Sequence, residues 1–485
     1  MNKRFLTGVL LVFVLTDLVF TYWQNYLLPL DGDMVAVTFP SPFYSQVLKD
    51  PFGWEVLTKN AIYAAPNRFF AHASVYYYWR HVPLLLHAVL DPISSLYAAS
   101  ALFTVAMQAA FLGLLAQYIR RASGEPRGWL GLAAAAALLV PLFQRHGYYQ
   151  QLGVHDLSIT YTFFYAMPLV LVLVLLWPFF RAACQRQPLR LSWASQFALV
   201  GLMVVIGFHG VIATAALAVV LGCIGLYWGW CKMRAWRYPQ QAQVANQWLS
   251  GQAIGLLAML ALICLYSIYI GRNNIENSHD HTLGELFRLL PTGVYQYFIA
   301  QPALPLLTGL LLLNAQLLRR LPEGTPGRQR VLQLLRWVSV YTILYLLLLP
   351  FGGYRSYRPY LLRNDSISPI LIGLFFAYGV SSYLLLFRLR GRKHTLYLVV
   401  ICLFSALLTG ADARLKLVDN NNDCQRWALD QLARATEPVA QLSTYCNVLT
   451  WLPFYEYHQS EIHAQMLKYW GVTPKEQLFY QKADK

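Results

Sequence analysis

Charge is scarce in this chain. Only 12% of its 485 residues are Asp, Glu, Lys or Arg, about half the share of a soluble domain, which excludes an ordinary soluble globular fold. Cysteine is sparse too: seven residues, with neither a CxxC pair nor a Cys/His zinc spacing, so no zinc module is encoded. An internal repeat is missing, which argues against a transporter built from inverted repeats. Also lacking is any polar stretch large enough to fold as a soluble domain with its own active site. Apolar residues fill the space instead, at 57% of the chain. They fall in recurrent runs of about 18 or more, each able to cross a ~30 Å hydrocarbon core as a helix. The fold class is therefore all-α: a polytopic integral membrane protein of about eleven transmembrane helices.

The spans are expected near 5–23, 95–118, 128–143, 158–180, 192–208, 210–230, 248–270, 300–318, 333–350, 367–387 and 394–411. With the amino terminus inside, the inner segments carry Lys3-Arg4, Arg120/Arg121/Arg127, Arg181/Arg186/Arg190, Lys232/Arg234/Arg237, Arg319/Arg320/Arg328/Arg330 and Arg388/Arg390/Arg392/Lys393, offset only by Glu125 and Glu323. This positive-inside pattern accounts for the net charge of +16, so the basic excess faces anionic lipid headgroups and implies no nucleic-acid partner. The first span lacks a small-residue cleavage site and ends in Thr21-Tyr22-Trp23, as an uncleaved anchor does. Simple topology without eukaryotic sorting signals points to a bacterial inner membrane, with a cytoplasmic amino terminus and an extracytoplasmic carboxyl terminus.

Two regions are expected: a transmembrane domain over 1–411, containing a first outer loop at 24–94, and an outer tail over 412–485. Ser41-Pro42 and Asp50-Pro51 each read as an N-cap and first helical residue, opening two amphipathic helices along the membrane surface. The stretch 69–90 is long enough to cross, but crossing would invert every later basic loop, so it is read as an interfacial helix. In the tail, a helix is expected through Trp427, Leu429 and Leu432 after the polar run Asp419-Asn420-Asn421-Asn422-Asp423, and a second near 460–470. Cys424 and Cys446 are free to pair there in an oxidising compartment. Asp17, inside the first span, should face the bundle.

Asp31 and Asp33 follow the first span by about eight residues, at the outer surface. Carboxylates beside a bilayer are costly unless solvated, paired or used, although Asp-Gly-Asp is also ordinary turn chemistry. Their order with the surface helices, the stretch His81-Val82-Pro83-Leu84-Leu85-Leu86-His87 and a span ending in Arg120-Arg121 resembles the amino-terminal module of the GT-C glycosyltransferases, over about residues 1–121. That resemblance implies transfer of a sugar from a polyprenyl-phosphate donor to a glycan, lipid or protein acceptor at the outer face. Asp31 or Asp33 would be the catalytic carboxylate, deprotonating the acceptor hydroxyl or, as a pair, holding a divalent cation.

Arg355, Arg358 and Arg363 sit with Tyr354 and Tyr357 in an outer loop, against the topology bias. Guanidinium groups bind phosphate bidentately and tyrosines stack on sugars, so these five are candidate donor contacts; the competing reading is an interfacial belt paired with Asp365. His155-Asp156 and His81 are further candidates for sugar hydroxyls. A surface-polysaccharide polymerase or ligase, which needs the outer arginines and not the acidic pair, is the first alternative. A transporter or flippase of lipid-linked glycans is the second.

Overall fold

The computed structural model describes residues 2–125, 127–237, 247–277, 281–352, 360–443 and 445–482. From the amino terminus, α1 (Lys3–Tyr26) leads to three short helices, α2 (Gly32–Thr38), α3 (Pro42–Lys49) and α4 (Trp54–Lys59). Then come α5 (Phe69–Leu86), α6 (Pro92–Ser123) and α7 (Gly128–Leu139), followed by the one-turn α8 (Tyr149–Leu152). Next, α9 (Ile159–Tyr161) runs through a π turn at Thr162–Ala166 into α10 (Met167–Gln185). The bundle continues with α11 (Trp193–Gly207), α12 (Val211–Arg237), α13 (Gly251–Gly271), α14 (Leu283–Phe298), α15 (Ala303–Arg320), α16 (Arg328–Leu348), α17 (Asn364–Arg388) and α18 (Gly391–Asp412). The tail holds α19 (Asp423–Arg434), β1 (Val439–Leu442), α20 (Glu461–Tyr469) and β2 (Leu478–Gln481).

All eleven segments read from the sequence are helical. Among the described residues, eight helices are long and apolar enough to cross a membrane, and a ninth forms if the pair α14–α15, bent by 82°, is one span. The protein is thus an all-α polytopic membrane protein. Two expected spans are shorter, as the apolar helices Gly128–Leu142 and Trp193–Gly207. The bend before α15 has a local cause: Pro302 sits at its start, has no amide hydrogen and blocks continuation of the preceding helix. Helix α14 lies between two of the expected spans; Thr282 and Glu285 start it with a reciprocal capping box.

Helix α17 is the most buried of the candidate spans. Small residues permit its close packing: a Cβ on Gly379 would lie 2.3 Å from Ile119, an approach that small residues allow between membrane helices. Polar pins hold it as well. Asn314 on α15 donates to Ser381 and Ser382 at 2.9 and 3.0 Å, and accepts from the Tyr397 hydroxyl at 2.8 Å. Asp17 faces the bundle, accepting from Gln108 at 2.9 Å.

A second apolar cluster lies at the end of the bundle where α1 stops. It joins α2 (Met34, Val35), α5 (Val75, Trp79) and α6 (Tyr97) to the tail (Leu429, Leu432, Trp470, Phe479). Gln425 splices the two regions: it accepts from the Leu30 amide at 2.8 Å and donates to the Leu30 carbonyl at 3.1 Å. The Trp470 indole donates to the Trp79 carbonyl at 2.8 Å. The boundary at 411/412 therefore divides the sequence without dividing the core. Cys424 and Cys446 form a disulfide. A parallel β1–β2 pair, unforeseen in the sequence, closes the tail.

The surface helices start almost as expected. Ser41 and Pro42 occupy the cap and first positions of α3. For α4 the start lies later: the Asp50 carboxylate accepts from the Trp54 and Glu55 amides at 2.7 and 2.8 Å, while Gly53, at φ +65°, takes the cap position. Pro51 belongs to the preceding turn.

Candidate functional site

Helix α2 begins at the acidic triplet and separates its members. Asp31 is the N-cap, accepting from the Met34 amide at 3.0 Å. Its carboxylate also accepts from the Thr160 hydroxyl at 2.8 Å and the Thr160 amide at 3.2 Å. Buried and occupied on both oxygens, Asp31 anchors α2 to α9. Burial raises its pKa above the carboxylate norm, against these hydrogen bonds. Between the acids, Gly32 meets the tail: a Cβ there would lie 2.8 Å from the Trp451 amide nitrogen. Asp33 turns the other way, into a cleft.

The cleft is walled by Asp33 and Val37 of α2, Tyr44 of α3, Ala65 and Arg68 before α5, His72 of α5, Tyr161, Phe164 and Tyr165 around the π turn, and Glu276 after α13. One π turn within a long helix changes which side chains face a given wall, and such turns recur at functional sites. Asp33 accepts from the Trp451 indole at 2.9 Å. Its pKa is raised chiefly by burial, with the Trp451 hydrogen bond opposing. Across the cleft, the Tyr44 hydroxyl donates to Glu276 at 3.0 Å. An isolated bridge pairing Tyr63 with Asn274 holds the Glu276 segment against the stretch before α5.

His72 lies fully buried between the rings of Tyr44 and Phe164, at centroid distances of 5.3 and 5.1 Å. Neither of its ring nitrogens has a hydrogen-bond partner among the described residues. Burial, aided by the nearby Arg68 charge, pushes its pKa down to about 3, so it is neutral at physiological pH. The open volume is ≈ 30 Å³, room for one or two waters. The cleft thus combines two carboxylates, Asp33 and Glu276, a guanidinium suited to an oxyanion, a neutral imidazole whose nitrogens have no partner among the described residues, and three tyrosines.

The other sequence candidates lie elsewhere. Arg363 caps α17 and is engaged with Asp365, donating from Nε at 2.9 Å; its neighbour Asn364 donates to the Tyr149 carbonyl at 3.4 Å. His155 is packed beside Phe111 and Phe143 at centroid distances of 5.7 and 5.9 Å, and burial pushes its pKa down to about 3. The Asp156 carboxylate accepts from the Ser158 amide at 2.9 Å, holding the turn before α9. Buried Arg145 ties this loop down, donating to the His155 and Asp156 carbonyls at 2.7 and 3.1 Å. His81 is exposed on α5, and its Nδ1 lies 2.7 Å from the Tyr77 carbonyl. None of these four lines the cleft. Tyr354, Arg355, Tyr357 and Arg358 fall outside the described residues.

As for the paired metal site, the described residues contain no group of three or more His, Cys, Asp or Glu placed to hold an ion, and Asp31 offers its oxygens to donors. Sequence reasoning passed over Arg68, Glu276, Tyr161 and Trp451. Arg68 did carry a signal: like Arg355, it is an arginine on the expected outer side, against the topology bias. The comparisons with known proteins add no family, since no family model matches this chain and no curated protein does either.

Proposed function

We propose that this protein is a membrane glycosyltransferase of the GT-C kind, with about eleven spans and a cytoplasmic amino terminus. It would move a sugar from a polyprenyl-phosphate carrier to an acceptor at the outer face of a bacterial inner membrane. Asp33 takes the role of general base, removing the acceptor hydroxyl proton as the glycosidic bond forms while the carrier phosphate departs. Arg68 is the partner for that phosphate. His72, neutral and unpartnered, serves a sugar hydroxyl as donor or acceptor. One observation carries the reading: Asp33, on the short helix next after the first apolar span, shares a concave polar wall with Arg68 and His72. In the closed cleft only a water-sized group fits, so sugar entry requires the wall to part, most simply at the Tyr44–Glu276 hydrogen bond.

The polymerase or ligase alternative predicts a different pattern of loss. Purified protein should carry a polyprenyl-phosphate sugar detectable by mass spectrometry, and transfer from that carrier should fall at least a hundredfold in Asp33→Asn and Arg68→Ala. Full activity in Asp33→Asn, with loss in Arg355→Ala or Arg358→Ala, would instead favour the alternative.

A further inference from the structure

We infer that the tail holds a second binding site, a groove for a neutral glycan chain. The polar run Asp419-Asn420-Asn421 and the disulfide meet around an open cavity of ≈ 620 Å³, within the range of small-molecule sites. Its character comes from two kinds of group. Trp427 and Tyr445 are 49% and 70% exposed. The Asn420 amide, the Asn421 amide nitrogen and the Asn447 amide oxygen line the wall with no hydrogen-bond partner among the described residues, whereas Gln425 is already taken up by Leu30, Tyr97 and Asn447. Amides both donate and accept, as vicinal hydroxyls require, and exposed rings offer flat apolar faces for the C–H side of a pyranose.

The groove is built before any ligand arrives. Cys424 and Cys446 both line it and are bonded to each other. Asn420 and Asn421 are held at φ +57° and +44°, a left-handed geometry that Asn tolerates better than most residues. The Asp419 and Asn420 side chains make no hydrogen bond among the described residues, leaving them for a ligand.

Charge selects against the alternatives. Among the described residues the lining contains no Lys, Arg or His and one carboxylate, Asp419, so an anionic ligand meets a like charge there and no cation. A peptide adding to a sheet would need a strand edge, yet none of the lining residues belongs to β1 or β2.

The groove is also wired to the cleft. Asn447 donates to the Trp451 carbonyl at 2.8 Å, and the Trp451 indole donates to Asp33 at 2.9 Å. If Asp33 is the base, the groove holds the acceptor glycan beyond the reacting hydroxyl; this last step rests on the function proposed above, whereas the binding does not.

Saturation-transfer NMR on the detergent-purified full chain tests the binding without any transfer reaction. The probes are tetrasaccharides of glucose, mannose and N-acetylglucosamine, with tetragalacturonate and an unstructured polar decapeptide as counter-probes. At least one neutral tetrasaccharide should bind, at least tenfold more weakly in Trp427→Ala and Tyr445→Ala, and equally well in Asp33→Asn. Asp419→Ala, at an exposed side chain, gives a second route to the same loss should either aromatic variant fail to fold. Binding unchanged in all three groove variants, no neutral tetrasaccharide bound, or binding of only tetragalacturonate or the decapeptide overturns the inference.

Discussion

Asp31 and Asp33 are two residues apart, and the helix that starts between them assigns each a separate task. Asp31, as the N-cap, accepts from Met34 and Thr160, whereas Asp33, in the first turn, accepts from Trp451. Asp31→Asn should lower stability by about 1–3 kcal/mol, because the new amide confronts the Thr160 amide that now donates to this carboxylate. The melting temperature in detergent measures that loss. Asp33→Asn should leave the melting temperature nearly unchanged, since an amide oxygen still accepts from Trp451, while abolishing transfer. A pH dependence follows from the raised pKa of both acids. The folded state binds the extra protons, so stability falls as pH rises from the ordinary carboxylate pKa of about 3.9 through the folded value. Transfer, which needs Asp33 ionised, should rise over that same window. A melting series and an activity profile across acid pH check both signs, and the rise in activity should vanish in Asp33→Asn.

At the scale of elements, the contact between α2 and the tail holds Asp33 in place, through the Trp451 indole. Gly32→Ala drives a Cβ into the Thr450–Trp451 backbone, with its nearest atoms 2.8–2.9 Å away. Backbone cannot swing aside as a flexible side chain does, so the tail should loosen. Limited proteolysis should then cut the tail faster than in wild type, with transfer reduced in parallel. The disulfide works on the same element. Joining cysteines 22 residues apart restricts the unfolded tail, worth about 3 kcal/mol in the chain-entropy view. Cys424→Ser should lose roughly that much, and added reductant should lower the wild-type melting temperature without affecting the variant. The surface helices show where local reading succeeds and where it stops. Ser41-Pro42 announces α3 through residues in direct succession. Asp50 caps α4 across Pro51 and Gly53, a reach set by Gly53's positive φ, which spacing alone does not reveal.

For the whole molecule, orientation is the claim with the widest consequences. Single cysteines placed in a background lacking Cys184, Cys223, Cys231, Cys264 and Cys402 should sort by side. Those replacing Arg392 or Glu323 should resist an impermeant maleimide applied to intact cells, whereas one replacing Glu437 in the tail should be labelled. Reversed labelling would move the cleft and the groove to the inner face and remove the proposed outer-face reaction. The peripheral helices suit a lipid setting, since Phe197, Trp193 and Trp236 stand 77%, 81% and 90% exposed, a surface that water would not tolerate at this density.

Class and helical segments were legible from residues alone, because hydrophobic run length acts over a few neighbours at a time. The two tail helices and the Cys424–Cys446 pair were open to the same local reading. Which aspartate faces the cleft, which arginine accompanies it and what closes it were decided only by tertiary structure. Asp33 meets Trp451 across 418 residues of chain, and Arg68 reaches the cleft because the segment before α5 lies against the end of α13. Such partners are chosen by packing in three dimensions, and no local spacing encodes them.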